Sequence, residues 1–164
     1  MYGRFGLFMA VLCLVGCAVH PQATAIPSAT FPSPPPEAEP AAVRWIEVVL
    51  EEQTVYLWED HDLFATLPMS SGVGNSPATT TYTGEFVVET MYPGPEQTVP
   101  GVYVRDIVIF DWDHGNGFHS LPMDADGHIL DPTIGKPASA GCIRVPESAI
   151  LYDFAEIGMK VVIR

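Results

Sequence analysis

Short runs of alternating apolar and polar residues, each of strand length, occupy most of the chain from about residue 43 onward. Residues 44–49 and 54–58 are rich in β-branched and aromatic side chains and are separated by the polar break Glu51, Glu52, Gln53, which predicts a hairpin. Asp60, His61 and Asp62 make the next turn, followed by a strand pattern over 63–69. Residues 70–81 are dominated by Ser, Gly, Asn, Pro and Thr and read as loop. Strand patterning resumes at 85–90, a second loop is expected over the proline-rich residues 92–100, and 102–112 is the longest β-like run. His114, Gly115, Asn116 and Gly117 have turn composition, so Phe118 and His119 should open a strand that pairs back on 108–110. Asp124 to Gly127 is a further turn.

Helical signals gather only in residues 146–157, where Pro146 suits a first turn, Glu147 complements the N-terminal dipole and Gly158 stops the segment. Ile150, Leu151 and Phe154 are expected on one face of that helix, and residues 160–163 make a closing strand. Many short strands, frequent turns and one short helix near the C-terminus predict a mainly β domain, sandwich- or barrel-like, over residues 43–164. That length is enough to bury one core without disulfides.

The first 42 residues follow different rules. Arg4 precedes an apolar stretch over residues 5–15, about half the ~20 residues needed to cross a bilayer, so residues 1–16 read as an export signal. Leu14, Val15, Gly16, Cys17 resembles the lipobox of bacterial lipoproteins, in which cleavage precedes the cysteine and its sulfur is lipidated. Residues 17–42 are dense in proline and alanine and lack the large apolar side chains a core needs, so they are expected to form a tether. At ~3.1 Å per residue, roughly 25 such residues reach on the order of 75 Å. The expectation is an exported protein, lipid-anchored through Cys17 on the extracytoplasmic side of a membrane. A formal net charge of −13 argues against nucleic acid as a partner and is otherwise the solvated surface of a soluble domain.

Of three cysteines, Cys13 and Cys17 lie in the export segment, which leaves Cys142 alone in the domain. A lone thiol in an exported domain has no internal disulfide partner and is paired with another molecule, buried and inert, or kept for reactivity. Its neighbours suit reactivity: Gly141 permits close backbone approach, Arg144 adds positive charge, and His119 is the candidate base. His114 is the rival base and His128 a weaker one, whereas His20 and His61 have no such context. Backbone N–H groups around Gly141 and Cys142 are the natural donors to an oxyanion, Ser139 is expected to hold the loop, and Arg144 either binds a substrate carboxylate or braces the loop against a local acid. Cys142, His114, His119 and His128 are nominal zinc ligands, but no closely spaced ligand pair is present, and neither metal nor cofactor is expected.

Gly117, Phe118, His119 and, further on, Pro137, Ala138, Ser139, Ala140, Gly141, Cys142, Ile143, Arg144, Val145 resemble the signature of the YkuD-type L,D-transpeptidases. Thr83, Gly84, Glu85, Phe86 resembles the family's Thr-Gly-x-Phe segment, and residues 45–56 its opening hairpin. Ala140 stands where many relatives have histidine, Ser120 where they have glycine, and Thr81, Tyr82, Thr83, Gly84 where the family form is Thr-Pro-Thr-Gly. The 19 residues between His119 and Ser139 exceed the commonest spacing.

The resemblance implies an L,D-transpeptidase catalytic domain acting on peptidoglycan stem peptides as donor and acceptor. Cys142 would attack the carbonyl of the third stem residue, a diamino acid, and expel the terminal D-alanine. An amine of a second stem would take the thioester to form a 3-3 cross-link, with His119 as base. The residue matching Ala140 would orient that histidine through its backbone carbonyl. A hydrolytic relative would pass the same thioester to water, acting as an L,D-carboxypeptidase or a releaser of wall proteins, and a non-catalytic wall-binding module would keep the fold with an inert thiol.

Overall fold

The computed structural model describes residues 42–164; the expected leader, Cys17 and nearly all of the tether lie outside the described residues. Alternation sets the first layer. β1 (Arg44–Val49) pairs antiparallel with β2 (Thr54–Glu59), placing Ile46 opposite Leu57 and Val48 opposite Val55, all fully buried. On the opposite face Trp45 stacks on Trp58 at 5.7 Å, and the Trp58 indole donates to Glu47 at 3.0 Å. Each strand therefore divides an apolar face from an amphipathic one, as a period of two requires. β3 (Asp62–Pro68) extends this sheet on one side. β11 (Lys160–Ile163), parallel to β1, and β4 (Gly84–Val87) complete the order β3-β2-β1-β11-β4.

A second sheet has the order β10-β9-β8-β5, from β5 (Thr90–Tyr92), β8 (Ile107–Asp111), β9 (Asn116–His119) and β10 (Ile143–Arg144). Val108, Phe110, Phe118 and Ile143 bring its inner face into one core with Ile46, Val55 and Leu57 of the first. Phe110 is the hinge of that contact, 5.5 Å from Phe86 on β4 and 4.9 Å from Phe118 on β9. A separate hairpin, β6 (Glu96–Val99) with β7 (Val102–Val104), stands beside the second sheet. The helix α1 (Ser148–Phe154) buries Ser148, Leu151 and Phe154. The mainly β expectation holds, with one α-helix among the described residues.

Four expectations on element boundaries are corrected. The run over 85–90 divides between the sheets because Val88 N–H donates to Met159 O while Glu89 N–H donates to Ile109 O, each at 2.8 Å, so the chain changes sheet there. The run over 102–112 breaks at Arg105 and Asp106: Asp106 has φ of 55°, and the Arg105 N–H turns to the Ser120 hydroxyl at 3.1 Å. Within the expected loop 92–100 lies β6, held by pairing with β7 that composition alone does not reveal. The helix stops at Phe154, short of Gly158, because Ala155 is extended and Gly158 N–H is drawn to Val88 O on the first sheet. Ile150 is 44% exposed, so the buried face is Ser148, Leu151, Phe154 and not the expected set.

Candidate active site

β9 positions the histidine. Its inward residues, Asn116 and Phe118, are buried, while the alternate residues Gly117 and His119 line a cavity of about 760 Å³. β10 lies parallel to β9 with Arg144 opposite His119 and Ile143 opposite Phe118, and Cys142 immediately precedes β10. Parallel neighbours need a long crossover, and residues 120–142 supply it, which is why an imidazole on β9 and a thiol at the start of β10 are so far apart in sequence. Cys142, His119, Ser139, Ala140 and Arg144 all line the one cavity. Gly141 sits behind it.

The half-buried Cys142 thiol lies against the β8–β9 turn, donating to Gly115 O at 3.5 Å, and the Gly117 N–H is directed at the sulfur. His119 Nδ1 is 2.6 Å from Ser120 O. A carbonyl accepts only, so Nδ1 carries the hydrogen and Nε2 keeps its lone pair in the neutral ring. The carbonyl that orients His119 is therefore that of Ser120, not that of Ala140. Alanine in place of histidine at 140 leaves this bond untouched.

Electrostatics keep the resting pair neutral. Burial pushes the Cys142 thiol up, outweighing the Gly117 N–H and the positive charge of Arg144, which pull it down. Burial lowers His119 to about 4; its bond to Ser120 opposes this and Arg144 adds to it.

The loop carrying Cys142 is fixed from three sides. The Ser139 hydroxyl donates to Cys142 O and accepts Gly141 N–H at 3.1 Å. The Thr81 hydroxyl donates to Gly141 O at 2.6 Å and accepts Gly72 N–H at 2.9 Å. Ser71 O receives the N–H groups of Ala138 and Ser139, and Ser71 is itself gripped by the buried Gln53 side chain, which accepts from its N–H and donates to its hydroxyl, both at 2.9 Å. Gly141 has φ of +115°, with Asn116 Oδ1 and Thr80 O where a Cβ would be, so only glycine fits. Gly141 N–H, expected to serve an oxyanion, is occupied by Ser139. Within residues 139–142, the Ala140 and Cys142 N–H groups have no acceptor among the described residues.

Arg144 Nη1 is 2.5 Å from Asp131 Oδ2. Arg144 thus braces against a local acid, one of the two roles left open for it, while also lining the cavity. Hydrogen bonds from Thr133, then Arg144, hold Asp131 down to about 2. His114 does not line the cavity; its Nδ1 is 2.9 Å from both oxygens of Asp111 and its ring lies 4.1 Å from that of Tyr82. His128 is paired with Asp124 at 3.0 Å in an exposed turn, grouped with Asp126. Of the nominal zinc ligands, Cys142 and His119 share the cavity, whereas His114 and His128 lie outside it. Thr81, Asn116, Gln53, Ser120 and Asp131 escaped the sequence reading, since each acts through a contact distant in the chain or through its backbone.

The model of the YkuD L,D-transpeptidase catalytic domain matches residues 43–163. The chain belongs to this family. YciB of Bacillus subtilis, which also carries the name L,D-transpeptidase, is 32% identical over 130 residues, covering 73% of this chain and 64% of that protein, so the chain spans just under two thirds of its curated relative. Among solved structures, an L,D-transpeptidase from Mycobacterium smegmatis is similar with a TM-score of 0.57 at 20% identity, over 75% of this chain and 59% of that one. A fused zinc-dependent amidase/peptidase/peptidoglycan-binding protein from Clostridium acetobutylicum has a TM-score of 0.57 at 28% identity, over 74% of this chain and 51% of that one. The YkuD fold thus accounts for the described domain from β1 to β11.

Proposed function

We propose that this chain is a peptidoglycan L,D-transpeptidase that forms 3-3 cross-links through a thioester on Cys142. The observation that supports it is the shared cavity: a nucleophilic sulfur and an imidazole with its tautomer fixed by Ser120 face one ligand-sized space. In the acylation step Cys142 Sγ bonds to the carbonyl carbon of the third stem residue, a diamino acid, while its proton passes to His119 Nε2. The developing oxyanion takes hydrogen bonds from the free Cys142 and Ala140 N–H groups. Collapse breaks the C–N bond to the terminal D-alanine, and His119 returns the proton to the departing amine. An amine of a second stem then attacks the thioester, loses its proton to His119, and the Cys142 thiol is restored.

Apolar walls from Val102, Val104, Ile107 and Ile109 favour an amine acceptor over water. Export through residues 1–16, lipidation at Cys17 and a tether to residue 42 would carry the domain to a fixed mesh at a distance from the membrane. A structural relative from the family, LdtMt1, is solved in complex with imipenem. Intact-protein mass after incubation with that carbapenem therefore tests the reading: one adduct on wild type, absent in Cys142→Ser, is expected. A folded wild type that gains no adduct refutes it. Tetrapeptide stems with an amine acceptor should yield cross-linked dimer, and release of D-alanine without dimer would instead identify a hydrolase.

A further inference from the structure

The charges around the cavity do not balance. Arg144 Nη1 is paired with Asp131 Oδ2, and Asp131 Oδ1 receives the Thr133 N–H at 3.0 Å. Burial keeps His119 uncharged at neutral pH. Glu96, on β6, also lines the cavity, and among the described residues its carboxylate has neither hydrogen bond nor ion pair. Much of the remaining wall is hydrocarbon, from Val99, Val102, Val104, Ile107, Ile109 and Leu130. A space with apolar sides and a single unopposed carboxylate suits an aliphatic chain ending in a cation: methylenes cover the wall and the charge meets its counter-ion.

We propose that Glu96 is the specificity-determining residue of this cavity, receiving the side-chain ammonium of the diamino acid in the stem peptide. Resting on the transpeptidase reading, this names which diamino acid the site takes. Arg144 and Asp131 offset each other, so the cavity wall carries the net negative charge of Glu96, which opposes a second carboxylate at the chain end. The favoured residue is lysine, or a diaminopimelate whose distal carboxylate is amidated, over diaminopimelate with that carboxylate free. Electrostatic recognition of this kind acts as a difference between competing ligands, disfavouring the anion as much as favouring the cation.

The test measures equilibrium binding and does not depend on turnover. The full chain carrying Cys142→Ala, with and without Glu96→Gln, is titrated with three tetrapeptide stems: lysine, ε-acetyl-lysine and free-carboxylate diaminopimelate. Lysine stem should bind tightest to the Glu96 protein and weaken about fivefold on Glu96→Gln, while the acetylated stem, lacking the ammonium, should be unaffected. Equal weakening of both stems, no weakening of either, no binding of any stem, or tighter binding of the free-carboxylate stem overturns the proposal. A missing carbapenem adduct on wild type would instead overturn the thioester chemistry and leave a measured lysine preference standing, so the two failures are distinguishable.

Discussion

Replacing Ser139 by alanine removes the one side chain that holds the peptide groups on either side of the Gly141–Cys142 peptide. Its residue is 5% exposed, and its hydroxyl serves Cys142 O as donor and Gly141 N–H as acceptor. Leaving a buried polar group unpaired costs roughly 1–3 kcal/mol. Gly141 is buried and bears that cost, whereas the half-buried Cys142 can recover part of it from water, so the total is about 2–3 kcal/mol. For a domain of this size that corresponds to roughly 10 °C in Tm. The kinetic effect should be larger. With the peptide planes on either side of the Gly141–Cys142 peptide released, the sulfur shifts relative to His119, and a displacement near 1 Å costs on the order of 100-fold. Carbapenem acylation, followed by intact mass well below the melting temperature, should slow by about that factor in Ser139→Ala. Ser139→Thr, which keeps the hydroxyl, should recover most of the rate. If Ser139→Ala melts lower as expected but acylates within about threefold of wild type, the hydroxyl supports the fold alone and the geometric account of the loop is wrong.

Nuclear magnetic resonance titration should place His119 near 4, below its usual value, because it is buried; a midpoint at or above 6.5 contradicts the burial assigned to it. Since the folded pKa lies below the unfolded one, the unfolded chain binds the extra proton, and this contribution to stability is lost as pH falls from about 6.5 through 4. The loss is on the order of 3 kcal/mol, visible as a falling Tm over that window. Gly141→Ala should abolish acylation, because the added Cβ meets Asn116 Oδ1 and lies 3.2 Å from Thr80 O; relief by a second change, Asn116→Ala, is expected to be partial, since the φ of +115° remains unfavourable. Circular dichroism with denaturant should show Phe110→Ala losing about 4 kcal/mol, as the ring is 1% exposed and joins the two sheets through Phe86 and Phe118; a loss below 1 kcal/mol would mean the sheets close over the gap.

Local chemistry explains what the sequence reveals and what it hides. The opening hairpin is legible because Ile46, Val48, Val55 and Leu57 alternate with polar neighbours, and the closing strand because residues 160–163 follow a glycine stop. Breaks at Val88 and at Asp106 are hidden, since β-branched residues on both sides favour extension and the turn between sheets is made by hydrogen bonds to Met159, Ile109 and Ser120, all distant in the chain. β6 is hidden for the same reason: three prolines in 92–100 suggest loop, yet its exposed strand exists through pairing with β7.

The site divides along the same line. Ser139, Gly141 and Cys142 stand in one compact segment and His119 follows Gly117 and Phe118 well upstream of it, so residue type and order point to them directly. The groups that tune them do not. Ser120 contributes a carbonyl that every residue possesses, Thr81 is one of several threonines in a polar loop, and Gln53 occupies a hairpin turn where a polar residue is unremarked. Those three act on the cysteine loop and the imidazole only after the sheets have brought residues 53, 71, 81 and 139 together. The proposed nucleophile and base are therefore legible in the local sequence, whereas their proton affinities and the choice of free N–H donors are properties of the fold. A substitution at Gln53 should accordingly slow acylation without altering any residue that faces the cavity, because it loosens Ser71 and through it the backbone of Ala138 and Ser139. Gln53→Ala with unchanged acylation would show that the Ser71 segment holds its place without that clamp.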